Sequence, residues 1–330
     1  MNVSLIICTY NRCESLMKTL ESVAASELSP AVEWEVLVVD NNSADQTRSA
    51  VEEFATMHPT RFRYVFEPNQ GLSNARNAGI LAARGEIIAF TDDDVIVDTS
   101  WLLNLTRCLH DQTWAGSGGR ILPLQRGVLP RWLSLSGPYD LGGPVAALFD
   151  QGDEPKELNL PPYGANMAFR RDMFQKYGYF RSDLGRRPGN LIGGEETEFG
   201  MRLIAAGERL GYIPSAIVYH PISEERLNKK YILAWSFDFG RAVTLLKGKR
   251  VAVLGIPRHF VSIFNLVLRL LPLRIMYWLL AVNPQRRFFC KCRVWQTIGE
   301  IAEVWRQFRC TLRHVCHPRS RGNSKDSFPS

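Results

Sequence analysis

The sequence predicts an α/β fold, a doubly wound, mixed but mainly parallel sheet, followed by a helical C-terminal region of different character. Three observations lead there. Unbroken apolar runs of strand length recur through residues 1–220, segments with helical spacing alternate with them, and after 220 both give way to a basic, strongly apolar stretch. Strands buried on both faces read as continuous apolar runs, and the order strand–helix–strand places such runs in a parallel sheet.

The first run is "VSLIICT" (Val3–Thr9) and the second "WEVLVVD" (Trp34–Asp40). "GEIIAFTDD", from Gly85, behaves in the same way, and "RFRYVFE", from Arg61, does so more weakly. Leu16, Leu20 and Val23 keep helical spacing after the first run. Leu72, Ala75, Gly79 and Ala82 do so ahead of "GEIIAFTDD", with Gly85 standing where a helix-ending glycine belongs.

The 330 residues are 45% apolar and 22% charged, which excludes a disordered chain. The net charge of +7 hides an asymmetry: residues 1–220 carry 20 Lys/Arg against 27 Asp/Glu, whereas 221–330 carry 20 against 6. An acidic front and a basic rear imply different partners for each. The opening "MNVSLIICTYNR" lacks a basic leader and reads as a strand rather than an export signal. Seven scattered cysteines do not form a disulfide framework, and a reducing cytosolic compartment suits them.

Ligands of a doubly wound sheet bind beyond the carboxyl ends of its strands. Each run here ends in polar residues: Thr9, Tyr10, Asn11 and Arg12; then Asp40, Asn41, Asn42 and Ser43; then Asp92, Asp93 and Asp94. Singly, Asp40 and Ser43 are ordinary turn and cap residues; together the three ends define one crevice. No phosphate-cradling glycine loop accompanies them, since "GSGGRI" at 116–121 lacks the dinucleotide spacing. Strand-end aspartates can supply the missing counter-charge by holding a divalent cation, because Mg²⁺ and Mn²⁺ take carboxylate oxygens together with substrate phosphates. A second acidic element, "GGEETEFGMRLIAAG", puts Glu195, Glu196 and Glu198 in a helix's first turn, where the dipole favours them. Met201, Ile204 and Ala205 read as that helix's apolar face, and Gly193 and Gly194 leave room for an acceptor to approach.

Over residues 1–220 the chain resembles the inverting family-2 glycosyltransferases with the GT-A fold. The resemblance rests on "SLIICTYNR", "VVDNNSADQT", "NQGLSNARNAGILAARGEIIAFTDDDV", "GANMAFRRDMFQKYGYF" and "GGEETEFGMRL", in that order. It implies transfer of a sugar from a nucleotide-diphosphate donor, a UDP-sugar by expectation, to a hydroxyl acceptor, with Mg²⁺ or Mn²⁺. Carried over, Thr9, Tyr10, Asn11, Arg12, Asp40 and Asn42 line the nucleotide side, and Arg76 faces the diphosphate with Asn77 nearby. Asp92 lies by the ribose and the metal, Asp93 is the variable middle position, and Asp94 is the direct metal ligand. Where the family commonly has Glu-Asp this chain has Glu-Glu, which makes Glu196 the catalytic base. His220 is a further metal ligand or phosphate contact, although a lone histidine after a strand also has an ordinary packing role. Asn166, Gly194 and Glu195 are expected on the acceptor side, and 180–194 as a mobile acceptor loop.

From residue 251 to 282 the chain is strongly apolar but interrupted by Arg258, Arg269, Arg274, Pro257 and Pro272, and basic residues flank it on both sides. The charge-free stretches are each too short to span a bilayer alone. A cationic, aromatic and aliphatic mixture of this kind suits a helix lying in the membrane interface. A true span or hairpin, and burial in a soluble helical domain, are the alternatives. The expected division is a catalytic domain at 1–220, a membrane-associating helical region at 221–317 and a disordered tail at 318–330. It places the protein at the cytoplasmic face of the cell membrane, with a saccharide or lipid-linked acceptor and no nucleic acid as partner. Cys290, Cys292, Cys310, Cys316, His314 and His317 match no common zinc finger. A glycoside hydrolase, a nucleotidyltransferase or an inactive scaffold are the competing functions. The first is disfavoured by the nucleotide-type strand ends, the second by the absent glycine loop, and the third by the retained acidic positions.

Overall fold

The computed structural model describes residues 2–28, 32–110, 113–124, 129–247 and 258–316; for 258–261 and 311–316 it describes the backbone path alone. Its strands form one nine-stranded mixed sheet. β1 (Val3–Thr9) lies between β2 (Trp34–Asp40) and β4 (Ile87–Thr91), β3 (Phe62–Phe66) flanks β2, and all four are parallel. β8 (Met167–Arg170) runs antiparallel to β4 and to its other neighbour β6 (Gly116–Pro123), which pairs in parallel with β9 (Leu210–His220). Two reversals restore the direction, so β9 points the same way as β1, β2 and β4. The carboxyl ends Thr9, Asp40, Thr91 and His220 therefore share one edge of the sheet. Short β5 (Ile96–Val97) runs antiparallel to β9, setting Ile96 opposite Tyr219, and β7 (Lys156–Glu157) closes against β9 further back.

The continuous apolar runs are what bury this sheet on both faces: every residue of β2 and β4 is buried. α1 (Cys13–Ala24) covers one side with Leu16, Leu20 and Val23, as their spacing requires. α2 (Thr47–Met57) adds Val51 and Phe54. α3 (Leu72–Ala82) packs so closely on β1 that a Cβ at Gly79 would meet Ile6 Cγ2 at 2.6 Å. Gly85 does not end this helix. The helix is closed by Ala83, whose N–H donates to the Gly79 carbonyl, and Gly85 lies beyond it, its own N–H donating to Ser4 Oγ at 2.8 Å. A Cβ there would stand 2.5 Å from the Ser4 backbone nitrogen. Close approach to β1, rather than a left-handed cap, is what requires the glycine.

α4 (Trp101–Arg107), α5 (Gly142–Ala146) and α6 (Arg171–Tyr177) complete the front with α7 (Glu195–Ala205). The buried face of α7 is Phe199, Gly200 and Leu203, whereas Met201 is 48% exposed. The sequence reading of Met201, Ile204 and Ala205 as its apolar face is thus one stripe off. Glu195, Phe199 and Leu203, spaced four apart, form the inward row, and a buried glutamate in that row hides it from a purely apolar pattern. Phe199 stacks on Phe174 with ring centroids 4.6 Å apart and meets Phe169 and Phe180 edge-on, which fixes the start of α7 against the sheet.

In the rear, α8 (Lys229–Leu246) crosses α11 (Pro284–Cys316), with α9 (Arg258–Asn265) and α10 (Leu271–Leu280) between them in sequence. A Cβ on Gly240 or Gly299 would run into the backbone carbonyl of Gln296 or Phe237, so the crossing is made backbone to backbone. The two long helices share an apolar cluster with the front chain, in which Leu133, Val145 and Ala146 meet Ile232, Phe288 and Cys292. Residues 262–280 form a helical stretch apolar enough to cross a membrane, with mean hydropathy 1.6 and none of it buried. Two of the expected interruptions, Pro272 and Arg274, are accommodated, whereas Arg269 stays exposed. Pro272 falls in the first turn of α10 behind a wide π-type turn at Leu266–Leu270, where its missing N–H matters least. Arg274 turns onto α11 and donates to the Arg293 carbonyl at 2.8 Å and to Thr297 Oγ1 at 2.5 Å. None of the described residues buries this stretch. Pro257, His317 and the expected tail at 318–330 lie outside the described residues.

Gly85→Ala is expected to lower stability by about 1–3 kcal/mol, the usual cost of overpacking against atoms that cannot yield. Gly189→Ala, at a loop position with open space for a Cβ but a positive φ, is the comparison. Thermal unfolding of both variants checks this, and a Gly85 variant no less stable than wild type would refute the close-approach reading.

Candidate active site

The shared sheet edge explains why residues more than 100 positions apart meet. β5 pairs with the end of β9, so the turn that carries Asp94 into β5 arrives beside His220, and Asp94 Oδ1 lies 3.4 Å from His220 Nε2. Asp92, Asp94 and His220 each offer a ligand atom within 4.8 Å of the others. Two carboxylates and an imidazole are a suitable donor set for a divalent cation, and the nitrogen suits Mn²⁺ better than the oxygen-preferring Mg²⁺. His220 Nδ1 lies 3.0 Å from the Pro221 carbonyl, which leaves Nε2 turned to the cluster.

The aspartates are held by arginines. Arg12 reaches Asp93 at 3.1 Å and Asp94 at 2.9 Å. Arg226, on the segment between β9 and α8, reaches Asp94 at 3.1 Å and lies 3.3 Å from His220 Nε2. Burial alone would raise the Asp94 pKa, but the charges of His220, Arg226 and Arg12 outweigh it and hold the carboxylate below its ordinary range. At Asp93 burial prevails over Arg12, and with Asp94 repelling it the group is pushed up to about 7. Asp93 is therefore packed within the site and does not stand apart from it. Sequence reasoning missed Arg226 altogether, because one arginine in "SEERLNKK" carries no pattern that separates it from its neighbours.

Arg76 is the second organising charge. It is 3% exposed on α3, and a Cβ at Gly164 would collide with its guanidinium. Its Nη1 donates to Glu195 Oε1 at 2.6 Å and lies 4.0 Å from Glu196, while Nη2 lies 3.7 Å from Asp92. Its guanidinium also rests near the rings of Phe90 and Phe180, each 5.8 Å away. Glu195 is thus corrected from an acceptor-side position to the buried partner of Arg76, at 2% exposure. Glu196 keeps 19% of its side-chain surface open. Burial and the Glu195 charge, opposed by Arg76, push its pKa up to about 8. Glu195 Oε2 is buried and finds no hydrogen-bond donor among the described residues unless Glu196 carries its proton, the state that the raised pKa favours. Gly194 begins α7 with φ of +95°, a left-handed conformation that glycine adopts without strain.

The nucleotide-side positions divide. Tyr10 and Arg12 stay open to the crevice, with Tyr10 37% exposed. Thr9 and Asp40 are buried, and the Asp40 oxygens are taken by the Ser43 N–H and the Tyr64 hydroxyl, both at 2.8 Å. Asn11 and Asn42 both have positive φ, and the Asn11 side chain accepts from the Ala44 N–H at 2.7 Å, tying the two strand ends together. Two expectations are not met. Asn77 spends its amide on the Phe180 backbone, donating at 2.8 Å and accepting at 3.0 Å. Asn166 is wholly buried; it accepts from Trp101 Nε1 at 2.8 Å and donates to the carbonyls of Arg120 and Ala216. An amide placed where sheet strands need an extra donor and acceptor looks, in sequence, the same as one that faces a ligand. The 180–194 segment is also pinned: Leu72 N–H donates to the Arg186 carbonyl, Ser73 Oγ to that of Leu184, and Leu191 N–H to Asp238.

A mixed sheet with an acidic, histidine-bearing edge and a facing glutamate defines a GT-A glycosyltransferase. The family description Glycosyl transferase family 2 matches residues 4–178. The chain belongs to that family and is an inverting glycosyltransferase of glycan biosynthesis. It is 31% identical over 245 residues to the succinoglycan biosynthesis protein ExoM of Rhizobium meliloti (strain 1021), covering 73% of this chain and 74% of that protein. It is 27% identical to a glucosyl-dolichyl phosphate glucuronosyltransferase of Haloferax volcanii, covering 72% and 74%. The mannosyltransferase PcManGT from Pyrobaculum calidifontis, solved with GDP-Man and Mn²⁺, shares the fold with a TM-score of 0.61 at 18% identity, over 93% of this chain and 88% of that one. Family membership sets aside the hydrolase and nucleotidyltransferase alternatives.

The Glu196 shift carries a stability consequence of definite sign. The folded state keeps a proton on Glu196 up to about pH 8, whereas an unfolded glutamate releases it near 4.5. Folding therefore binds a proton across that window, and this contribution to stability falls as pH rises through it. Glu196→Gln removes the slope. The variant is expected to match wild type near pH 4 and to melt progressively higher than wild type toward pH 8; parallel melting curves at all pH values would refute the assignment.

Proposed function

We propose that the protein transfers a sugar from a nucleotide-diphosphate donor to a hydroxyl of a lipid-linked saccharide, with Asp92, Asp94 and His220 holding a divalent cation and Glu196 acting as base. The observation that carries this reading is the cluster of those three ligands on the same sheet edge as Arg76, whose guanidinium lies between Asp92 and Glu196. When bound, the cation supplies neutralisation of the charge that develops on the departing diphosphate. Glu196 takes the proton of the incoming hydroxyl. The acceptor's hydroxyl oxygen forms a bond to the anomeric carbon from the face opposite the departing diphosphate, and the carbon–oxygen bond to the diphosphate breaks with its electron pair leaving on the phosphate. A base with a pKa near the working pH suits this transfer. Arg76 holds Glu195 and the start of α7 in place so that Glu196 faces the reacting carbon. Gly193 and Gly194 leave the acceptor a path past the backbone. Tyr10, Arg12 and the Asn11–Asn42 turns border the nucleotide.

The donor and metal classes are supported by the GDP-Man and Mn²⁺ bound to the structural neighbour PcManGT. The acceptor class is supported by the glucosyl-dolichyl phosphate named for one relative and by the exposed apolar helix 262–280, which suits attachment at the cytoplasmic face of the membrane.

Asp94→Asn is expected to abolish Mn²⁺-dependent stabilisation by UDP- and GDP-sugars in thermal-shift assays; an undiminished metal response would remove the cluster from the proposal. Glu196→Gln should retain that response while losing about 10²- to 10⁴-fold in transfer, the usual size of a general-base contribution. An active Glu196 variant would refute the base assignment.

A further inference from the structure

Where the apolar stretch 262–280 ends, the chain bends at 281–283 and α11 begins at Pro284. Beside that bend lies a cavity of about 340 Å³ whose lining includes Lys229, Arg287 and Lys291 together with Trp132, Trp278 and Phe288. No carboxylate lines it among the described residues. The ammonium groups rest on aromatic rings instead: Lys229 lies 5.2 Å from the Trp132 ring and 5.7 Å from Phe288, and Lys291 lies 5.4 Å from Trp278 and 5.2 Å from Trp295. The rings are themselves braced, Trp132 edge-on to Phe288 at 4.6 Å and Trp278 edge-on to Trp295 at 6.4 Å. Three cations gathered without an acid repel one another, and an anion between them relieves that repulsion.

We propose that this cavity is a headgroup site for an anionic membrane lipid, its phosphate held by Lys229, Arg287 and Lys291 and its chains lying along the exposed face of 262–280. The proposal rests on the membrane attachment proposed above and gives that attachment a specific ligand. Three features favour a lipid over a free anion. Trp278 belongs both to the apolar helix and to the cavity wall, so the pocket is continuous with a surface that would face hydrocarbon. Tryptophan and lysine at the end of an apolar helix are the residues that settle at the headgroup level of a bilayer. Arg274 is withdrawn onto α11, which leaves Arg269 as the one charged side chain exposed along 262–280, where a long cationic side chain can reach the headgroup level.

The test is flotation of the full chain with vesicles of phosphatidylcholine alone and of phosphatidylcholine mixed with phosphatidylglycerol. Replacing Lys229, Arg287 and Lys291 together by alanine is expected to lower affinity for the anionic vesicles roughly a hundredfold, the scale of three basic contacts, and to leave binding to neutral vesicles unchanged. Arg287→Ala alone, at an exposed position, should cost roughly fivefold and covers the case in which the triple variant does not fold. A charge-matched triple outside the cavity, Arg286, Arg293 and Arg309 to alanine, should lose far less. Equal losses from both triples, or none from the cavity triple, would overturn the site while leaving membrane attachment intact. Wild-type protein that binds neither kind of vesicle would overturn both. Inorganic phosphate at matched ionic strength should not release the protein from anionic vesicles; release would replace the lipid with a free-anion ligand and overturn the assignment.

Discussion

The buried guanidinium of Arg76 is the constraint on which the rest of the site depends. A charge taken out of water is tolerated only when paired, and breaking such a pair costs about 3–5 kcal/mol. Arg76 comes from α3, Asp92 from the end of β4, and Glu195 and Glu196 from α7, so one charge fixes three elements that are remote in sequence. The pairing is unequal. Glu195 is paired through Oε1 at 2.6 Å, whereas Glu196 at 4.0 Å is only partly neutralised and keeps a raised pKa. Two adjacent glutamates thus differ by distance: one is held in the ion pair with Arg76, and the other retains a proton affinity that suits the base role proposed for it. A glutamate in place of the family's common aspartate is compatible with this division, because helix α7 starts where Glu195 is anchored and not where Glu196 ends.

Strand direction is the complementary constraint. Antiparallel β8 inserts one reversal and β6 a second, so β9 regains the direction of β1, β2 and β4 and delivers His220 to their carboxyl edge. β5, pairing back onto β9, then brings Asp94 to His220. Against the cost of burial, His220, Arg226 and Arg12 hold the Asp94 carboxylate below its ordinary range, beside a neighbour, Asp93, whose pKa burial raises. Asp93 and Asp94, although they share Arg12, are therefore chemically different groups, set apart by burial and by the further cations that only Asp94 meets.

Much of this was legible from the residues. Apolar runs with both faces buried are a direct physical signature, so β1, β2 and β4 and the crevice at their ends could be read from composition and order alone. The acidic triplet could be singled out only by its company, because alone such a triplet is an ordinary solvated turn and only its place after a buried strand, in line with the other polar strand ends, marks it. Orientation was not legible. Asn77 and Asn166 have the right chemistry for ligand contacts, yet their amides are consumed by Phe180, Trp101, Arg120 and Ala216. The buried row of α7 starts with a glutamate, so an apolar pattern finds the wrong stripe. Arg226 depends on a chain reversal after β9 that no local spacing encodes, and Arg274 looks like a break in an apolar helix until α11 is there to receive it.

The rear helices and the catalytic edge are mechanically one object. Asp238 on α8 accepts from the Leu191 N–H at 2.8 Å, and Leu184, Ile192, Ala242 and Leu245 form a shared apolar cluster on the approach to Glu196. At its other end α8 starts shortly after Arg226, which reaches Asp94. Removing everything after residue 250 would strip α11 from α8 and expose the Gly240 crossing and the Asp238–Arg241 pair. Such a truncation would disturb both ends of α8 and, through them, both acidic elements. Loss of activity in it would not separate membrane attachment from catalysis. Substitutions confined to exposed cations can make that separation, because they leave the α8–α11 packing, and hence the positions of Arg226 and Glu196, as they are.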